Sequence, residues 1–265
     1  LIPDVRNCFY SEITEYIRRE VESYGFFLIL GITGNSSNNE KKYISEFISR
    51  KVDGVIWVPQ LTYVNDIEHM KKLDEYGIPY LFLAAYYEQS SAPFVMCNLK
   101  KGSYLMTQYL IERDIHNIVM LIGDRRVDET YISGYKMALE EAGLVYSESN
   151  VYESTYHFDD VQKLAMEILK ERPEAIMTNS DFTACAVLQA ARIKGLSIPR
   201  DLSVCGYDDV IYATINQIPL TTVSQPIERM CKLAVNNLMN LLQYGIVPDS
   251  VILEPSLIIR DTVKR

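Results

Sequence analysis

Two adjacent carboxylates, Asp208 and Asp209, end the apolar run "LSVCGYDD" (202–209). The chain then continues through polar residues to "PLTTVSQP" (219–226), which contains Gln225. Ligands of open parallel sheets lie beyond the carboxyl ends of the strands, where ligand hydroxyls can donate to such carboxylates. A polar residue at a strand end can equally be a turn residue or a helix cap. The secondary structure predicted around these residues is needed to choose between the two interpretations.

The chain offers few residues in arrangements that support catalysis. His69, His116 and His157 stand in unrelated segments, and none has the spacing of a metal ligand. The sequence has no glycine-rich phosphate loop and no G-x-S-x-G nucleophile turn. Adjacent strand residues point to opposite faces, so Asp208 and Asp209 are not expected to form one acid–base pair. We therefore expect no enzyme, no metal and no cofactor.

Composition and charge limit the classes of partner. A chain of 265 residues has room for two modest α/β units, and 48% hydrophobic residues are typical of a globular protein. The net charge of −9 argues against a basic face that grips nucleic acid, and leaves room for a basic domain elsewhere in the protein. The five scattered cysteines are typical of a reducing cytoplasm. No apolar run reaches the ~18 residues of a membrane span and no signal peptide is present, so we expect a cytoplasmic protein without membrane contact.

Short apolar runs alternate with helical patterns along the chain. Each run is apolar throughout, as expected for strands that are covered on both faces. The helical pattern of residues 11–25 ends at Gly25, and Ser37 with Glu40 has the spacing of a capping box for the next helix. The alternation predicts doubly wound parallel sheets in two α/β units. The apolar runs are 53–59, 79–84, 117–123, 174–179 and 202–207.

Polar or aromatic residues follow several of the predicted strands. Gln60 follows the first strand and Tyr86 the second, and Asn179, Ser180 and Asp181 follow the fourth. Asp181 also has the position of a cap for the helix that comes next. Because the carboxyl ends of parallel strands meet at one edge of a sheet, these positions together predict a ligand cleft.

The segment "PRDLSVCGYDDVIYATINQIPLTTVSQP" (199–226) resembles the signature of the effector-binding core of the lac repressor and gal repressor (LacI/GalR) family. The similarity extends over nearly the whole chain, and its most specific part is the long G-Y-D-D to T-T-x-x-Q-P combination. "GIPYLFLAAYYEQSSAP" (77–93) is most similar to the arabinose-repressor branch of the family. Further matching segments are "LIPDVRNCFYSEI" (1–13), "KVDGVIWVP" (51–59), "NSDFTACAV" (179–187) and "LEPSLIIRDTV" (253–263).

The resemblance implies an α/β fold of the type I periplasmic-binding-protein-like class, with two doubly wound subdomains joined by three crossovers. A small sugar-like effector would lie in the cleft between them. Asp208 would accept hydrogen bonds from its hydroxyls, and Asp209 would accept from backbone donors in the turn. The "TTVSQP" loop would form a hinge and a surface that faces a second copy. The implied subdomains are 1–113 with 227–254 and 114–226 with 255–265.

The sequence departs from the family pattern at positions that the family uses for binding. Tyr131 stands where the family usually carries an Arg, and Asn98 stands where it carries an Asp. Arg125 or Arg126 could replace the missing Arg. Because Tyr offers one donor where Arg offers several, we expect a less charged and more aromatic cleft. The aromatic candidates are Phe9, Tyr86, Tyr131, Tyr156, Phe158 and Tyr207.

The sequence therefore predicts the effector-binding and dimerisation core of a bacterial transcriptional regulator. The resemblance implies a homodimer, with residues 11–24 and 212–223 as contact surfaces, and operator binding only through a DNA-binding domain upstream of Leu1. A solute-binding protein of a sugar import system and an α/β enzyme that acts on a sugar are the alternatives. The predicted ligand-binding residues are Asn7, Phe9, Tyr86, Asn98, Tyr131, Tyr156, Ser180, Asp181, Asp208 and Gln225.

Overall fold

The computed structural model of the chain describes residues 1–59, 67–125, 128–155 and 157–264. Within these ranges, no helix is both long and apolar enough to cross a lipid bilayer. The chain divides into two compact units, which are described separately. Unit 1 comprises Leu1–Cys97 and Pro226–Leu253, and unit 2 comprises Asn98–Gln225 and Glu254–Arg265.

The strands are short, and each of the five predicted apolar runs contains one of them, which confirms those predictions. The sequence pattern did not indicate the remaining strands. The strands are β1 (Val55–Trp57), β2 (Tyr80–Leu83), β3 (Phe94–Cys97), β4 (Ile118–Ile122), β5 (Val151–Glu153), β6 (Ala175–Thr178), β7 (Ser203–Asp208), β8 (Thr221–Ser224), β9 (Val251–Leu253) and β10 (Ser256–Ile258).

The helices follow the predicted apolar patterns, and several begin at a side-chain cap. In the first helix, Ile13, Ile17 and Val21 are buried at a spacing of four residues, and Gly25 ends the segment with a φ of 83°. The helices are α1 (Cys8–Ser23), α2 (Ser37–Ser49), α3 (Glu68–Glu75), α4 (Leu99–Ile111), α5 (Glu129–Glu141), α6 (Phe158–Ile168), α7 (Asp181–Ile193), α8 (Tyr212–Ile215) and α9 (Ile227–Tyr244).

Unit 1 has a parallel sheet with the strand order β1-β2-β3-β9. Helix α1 packs against α9, and α9 in turn packs against β1, β2 and β3. The buried rings of Trp57, Phe82 and Tyr87 lie with their centroids 5.6–6.0 Å apart in the core of this unit. Unit 1 is therefore an α/β unit with its own aromatic core.

Unit 2 has a sheet with the strand order β10-β8-β7-β6-β4-β5, parallel except for the β8–β10 pair. Alternate residues of β4 pack on opposite faces of this sheet. Ile118 and Met120 lie with residues of α4 and α5, whereas Val119 and Leu121 lie with residues of α6 and α7. Both faces are covered, so the predicted doubly wound parallel fold is confirmed.

The first boundary between the units lies before α4 and not near residue 114, so the predicted subdomain 1–113 is too long by this helix. Helix α4 packs against α5, β8 and β10, all of which belong to unit 2. The approach of α4 to α5 is close, because a Cβ on Gly134 would overlap the carbonyl oxygen of Lys100. Periodicity alone could not reveal which unit such a helix would join.

We predicted a loop for the segment "TTVSQP", but this segment contains β8. Thr221, Thr222 and Val223 are buried between β7 and β10. Thr221 Oγ1 accepts from the backbone N–H of Arg260 (2.9 Å), so a strand with polar residues is satisfied inside the sheet. This part of the predicted contact surface 212–223 is therefore wrong, because it has no exposed face for a second copy.

The predicted capping box of α2 is also wrong, because Glu40 has a different role. Ser36 is the N-cap, and its Oγ accepts from the N–H of Asn39. Glu40 is fully buried, and its carboxylate accepts from Trp57 Nε1 (3.2 Å) and from Tyr87 Oη (2.8 Å). A buried carboxylate thus joins α2 to β1 and to the segment after β2.

We predict that Glu40→Leu lowers the free energy of unfolding of unit 1 by about 3 kcal/mol or more, because two buried donors lose a charged acceptor. Urea unfolding followed by the fluorescence of Trp57, the only tryptophan of the chain, measures this effect. Glu46→Leu, on the same helix, is the control. Glu46 forms an exposed ion pair with Arg50, so its loss should cost less than about 1 kcal/mol. Equal losses in the two variants would contradict this role of Glu40.

Candidate functional site

Polar side chains of unit 2 lie together at the carboxyl ends of β4, β6, β7 and β8. The parallel register pairs Leu121 with Thr178 and Asp208 with Ser224, so the residues that follow these strands meet at one edge. We call this group the carboxyl edge. It consists of Asp128, Asn179, Asp181, Asp208 and Gln225.

Asp208 and Gln225 are brought together, as the predicted site requires. Asp208 ends β7 and is only 5% exposed, and its Oδ1 accepts from Gln225 Nε2 at 2.8 Å. The Oε1 of Gln225 is buried and has no hydrogen-bond partner among the described residues. The carboxamide therefore gives its donor to the carboxylate and leaves an acceptor without a donor.

Ser180 takes the capping role that the sequence suggested for Asp181. Ser180 is the N-cap of α7, and its Oγ accepts from the N–H of Thr183 (3.1 Å). Asp181 is fully buried and accepts from Thr222 Oγ1 (2.6 Å) and from the N–H of Val210 (2.9 Å). Its carboxylate thus joins the start of α7 to β8 and to the turn after β7.

Gly206 leaves the space that the Asp181 carboxylate occupies. A Cβ on Gly206 would overlap Asp181 Oδ1, which is itself held by Thr222. In the same way, a Cβ on Gly102 would overlap the hydroxyl of Tyr207. The glycine of the "GYDD" motif is therefore required by the close approach of the start of α7 to β7.

We expected Asp209 to accept from backbone donors of its turn, but it does not. Its Oδ1 accepts from Arg260 Nη2 at 2.6 Å, and the two side chains form a partly buried ion pair. Arg260 Nη1 also donates to the carbonyl oxygen of Leu220 (2.9 Å). The backbone N–H of Val210, in the same turn, donates to Asp181 instead.

The sequence did not indicate that Asp128 and Asn179 form a second carboxylate–carboxamide pair. Asp128 is the buried N-cap of α5, and its Oδ2 accepts from Asn179 Nδ2 and from the N–H of Gly123, both at 2.8 Å. The Oδ1 of Asn179 is buried without a hydrogen-bond partner among the described residues. An Asp six residues before Gly134, at the start of a predicted helix, was the available signal, and an N-cap is its ordinary interpretation.

Two of the aromatic and polar positions taken from the family pattern have structural roles. Tyr131 is buried in the core of unit 2, edge to face with Tyr207 at 4.9 Å between ring centroids. Asn98 is the N-cap of α4, and its amide donates to Glu254 Oε1 (3.1 Å). Arg125, which we considered as a replacement for the missing Arg, forms ion pairs with Glu148 and Glu153.

Two of the predicted residues of unit 1 adjoin each other at the start of α1, and the third follows β2. Asn7 is the N-cap of α1, and its Oδ1 accepts from the N–H of Phe9 (3.0 Å). Phe9 is buried beside Tyr10. Tyr86 is 39% exposed and stacks on Phe94 with ring centroids 4.3 Å apart. The predicted residue Tyr156 lies outside the described residues.

The carboxyl edge is thus a buried cluster that is rich in hydrogen-bond acceptors. Burial raises the pKa of Asp128 to about 7, against the bonds from Gly123 and Asn179, which lower it. Burial likewise raises the pKa of Asp181 to about 7, against the bonds from Thr222 and Val210. In the described part of the chain, no group of three or more His, Cys, Asp or Glu side chains is placed to hold a metal ion.

Comparison with known proteins supports the same class of fold and identifies relatives. The family model of the periplasmic binding protein-like domain matches residues 107–263. The HTH-type transcriptional repressor PurR of Vibrio atlanticus (strain LGP32) is 32% identical over 272 residues, which cover 100% of this chain and 80% of that protein. The HTH-type transcriptional regulator DegA of Bacillus subtilis (strain 168) is 31% identical, with 86% of this chain and 68% of that protein covered.

Among solved structures, the complex of the transcriptional regulator CelR with cellobiose matches 96% of this chain and 79% of that chain, with a TM-score of 0.86 and 26% identity. The fold is therefore that of a periplasmic-binding-protein-like domain of type I. The chain belongs to the LacI/GalR family of transcriptional regulators, as the sequence predicted. It is a regulator and not an enzyme, and the narrower likeness to the arabinose-repressor branch stays a prediction.

We predict that the protein becomes less stable as the pH rises from about 5 to about 7. The folded state keeps protons on Asp128 and Asp181 up to pH values near 7, whereas the unfolded chain releases them near the ordinary value of 3.8. Each group then lowers the free energy of unfolding by about 1.4 kcal/mol per pH unit in this window. Urea unfolding at a series of pH values measures the slope.

Asp128→Asn should make this slope smaller by about 1.4 kcal/mol per pH unit, because the isosteric amide does not titrate. Asp159→Asn is the matched control, since Asp159 is an exposed residue in the first turn of α6 and should leave the slope unchanged. A slope in Asp128→Asn equal to that of the unmodified protein would show that Asp128 is ionised in the folded state throughout the window.

Proposed function

We propose that the carboxyl edge of unit 2 binds the effector of this regulator, and that the effector is an uncharged, sugar-like molecule with several hydroxyl groups. Binding would control the attachment of the regulator to operator DNA in the cytoplasm, through a DNA-binding domain outside the sequence described. The expectation that unit 1 contributes Asn7, Phe9 and Tyr86 to the same site stays a prediction. The proposal rests on the chemistry of the carboxyl edge.

The observation that carries the proposal is a surplus of buried acceptors. Asn179 and Gln225 each donate their amide N–H to a carboxylate, and each keeps an amide oxygen without a donor among the described residues. Buried polar groups normally have hydrogen-bond partners, and the hydroxyl groups of a bound molecule would supply donors to these oxygens. A carboxylate such as that of Asp208 offers about four lone-pair positions, and vicinal hydroxyls of a sugar are suitable donors.

The charge of the edge restricts the ligand further. Asp128 and Asp181 accept hydrogen bonds from uncharged donors, and Arg260 is engaged by Asp209. Above pH 7, where Asp128 and Asp181 are ionised, a phosphate or carboxylate on the ligand would face these acids at short range, and like charges repel strongly where water is excluded. A neutral polyol avoids this repulsion, in agreement with the cellobiose bound to the related CelR.

We predict that Asp208→Asn weakens effector binding about ten- to a hundred-fold, the equivalent of ~1.5–3 kcal/mol for one charged hydrogen bond. Asn is preferred to Ala because its oxygen still accepts from Gln225, so the turn keeps its partner. Calorimetric titration with cellobiose, glucose and ribose identifies the sugar that binds, and the variant is then titrated with that sugar. Asp159→Asn, on the surface of α6, is the control.

Glucose 6-phosphate tests the charge argument beside glucose. Above pH 7, where Asp128 and Asp181 are ionised, the phosphorylated sugar should bind at least about tenfold more weakly, because its charge meets the acids of the carboxyl edge. Tighter binding of glucose 6-phosphate, or an unchanged affinity in Asp208→Asn, would contradict the proposed site. Failure of all three neutral sugars in the unmodified protein would contradict the proposed class of effector.

We also predict a dimer without affinity for DNA. Regulators that bind pseudo-palindromic operators do so as two-fold dimers, which requires their cores to associate. Sedimentation velocity at roughly 50 µM should give twice the chain mass of 30.4 kDa. With a net charge of −9, the chain alone should not bind duplex DNA at physiological salt. A mass of one chain at this concentration would contradict the predicted dimer.

A further inference from the structure

The turn after β7 has an unusual backbone. Asp208 has a φ of 106° and the next residue, Asp209, has a φ of 59°. Residues with a Cβ rarely adopt positive φ, and two in succession at the end of a buried strand are rarer still. Conformations of this kind persist only where surrounding contacts hold them, and they concentrate at ligand sites.

Among the described residues, side chains from three different parts of unit 2 hold this turn. Gln225, after β8, donates its amide to Asp208 Oδ1 (2.8 Å). Asp181, at the start of α7, accepts from the N–H of Val210 (2.9 Å). Arg260, in the C-terminal segment, donates to Asp209 Oδ1 (2.6 Å). We call residues 208–210 the Asp208 turn.

Of these three side chains, that of Arg260 is the most exposed. Its side chain is 20% exposed, as is that of Asp209, so the ion pair is only partly buried. The guanidinium is itself fixed, because Nη1 donates to the carbonyl oxygen of Leu220 and the backbone N–H donates to Thr221 Oγ1. Arg260 thus connects the Asp208 turn to the rigid start of β8.

We propose that Arg260 is a positioning residue for the effector: by pairing with Asp209, it holds the Asp208 turn in its left-handed conformation and so aims the Asp208 carboxylate. The effect on binding rests on the proposed function, whereas the effect on the turn does not. Arg260 itself need not contact the ligand. Its removal should leave a folded protein whose Asp208 is no longer held in place.

Glycine at position 209 separates positioning from a merely structural role. Glycine adopts positive φ without steric cost, so Asp209→Gly should keep the turn in its conformation without the ion pair. Arg260→Met should therefore be harmful beside Asp209 and nearly harmless in Asp209→Gly. If Arg260 only anchors the C-terminal segment to Leu220, its removal should be equally harmful in both backgrounds.

The first measurement needs no ligand. Amide hydrogen exchange of Val210, followed by NMR, reports whether the bond to Asp181 stays closed. We expect exchange at least about tenfold faster in Arg260→Met, and a return to within about threefold of the unmodified rate in Asp209→Gly/Arg260→Met. Exchange that is unchanged in Arg260→Met, or that is not restored by the glycine, would overturn the proposal.

The second measurement repeats the comparison as affinity for cellobiose, glucose and ribose. Arg260→Met should weaken the sugar that binds by about tenfold, Arg260→Lys by less, and Asp209→Gly/Arg260→Met by no more than about threefold. If the exchange pattern is as expected but no sugar binds the unmodified protein, the positioning role stands and the proposed class of effector falls. If sugar binds but its affinity is indifferent to Arg260, the positioning role falls and the proposed site stands.

Discussion

The buried carboxylate of Asp181 is the contact on which the functional end of unit 2 depends. One oxygen accepts from Thr222 in β8 and the other from the backbone of Val210, just after β7. A single side chain at the start of α7 thus fixes the ends of two neighbouring strands. Gly206 exists as glycine because this carboxylate fills the space of a Cβ. Burial raises the pKa of Asp181 to about 7, so this arrangement carries an electrostatic cost, which the bonds from Thr222 and Val210 offset in part.

Around this contact, the family motif acquires a physical meaning residue by residue. Gly206 admits Asp181, Asp208 pairs with Gln225, and Asp209 pairs with Arg260 of the closing segment. The buried strand β8 contains threonines because their hydroxyls bond to Asp181 and to the backbone of Arg260. Segments that are distant in the chain therefore form one hydrogen-bonded unit, and the motif is long because the unit needs all of them.

Much of the fold could be predicted from the sequence, and the misses have a common cause. The five apolar runs were sufficient for β1, β2, β4, β6 and β7, since continuous apolar segments bury both faces of a sheet. Strand β8 and Glu40 were misassigned because their polar groups are satisfied by residues far away in the chain, such as Arg260 and Trp57. In the site, Asp208 and Gln225 could be predicted from the motif. The pair of Asp128 with Asn179 could not, because nothing local distinguishes such an Asp from an ordinary helix cap.

A crystal structure of the chain with its bound sugar shows whether a neutral, hydroxyl-bearing effector binds at the Asp208 carboxylate. We expect sugar hydroxyl oxygens at hydrogen-bond distance, about 2.5–3.0 Å, from an Asp208 oxygen and from the amide oxygen of Gln225 or Asn179. The sugar should leave Arg260 paired with Asp209. A sugar bound elsewhere on the chain, or one whose hydroxyls approach none of these oxygens, would contradict the account.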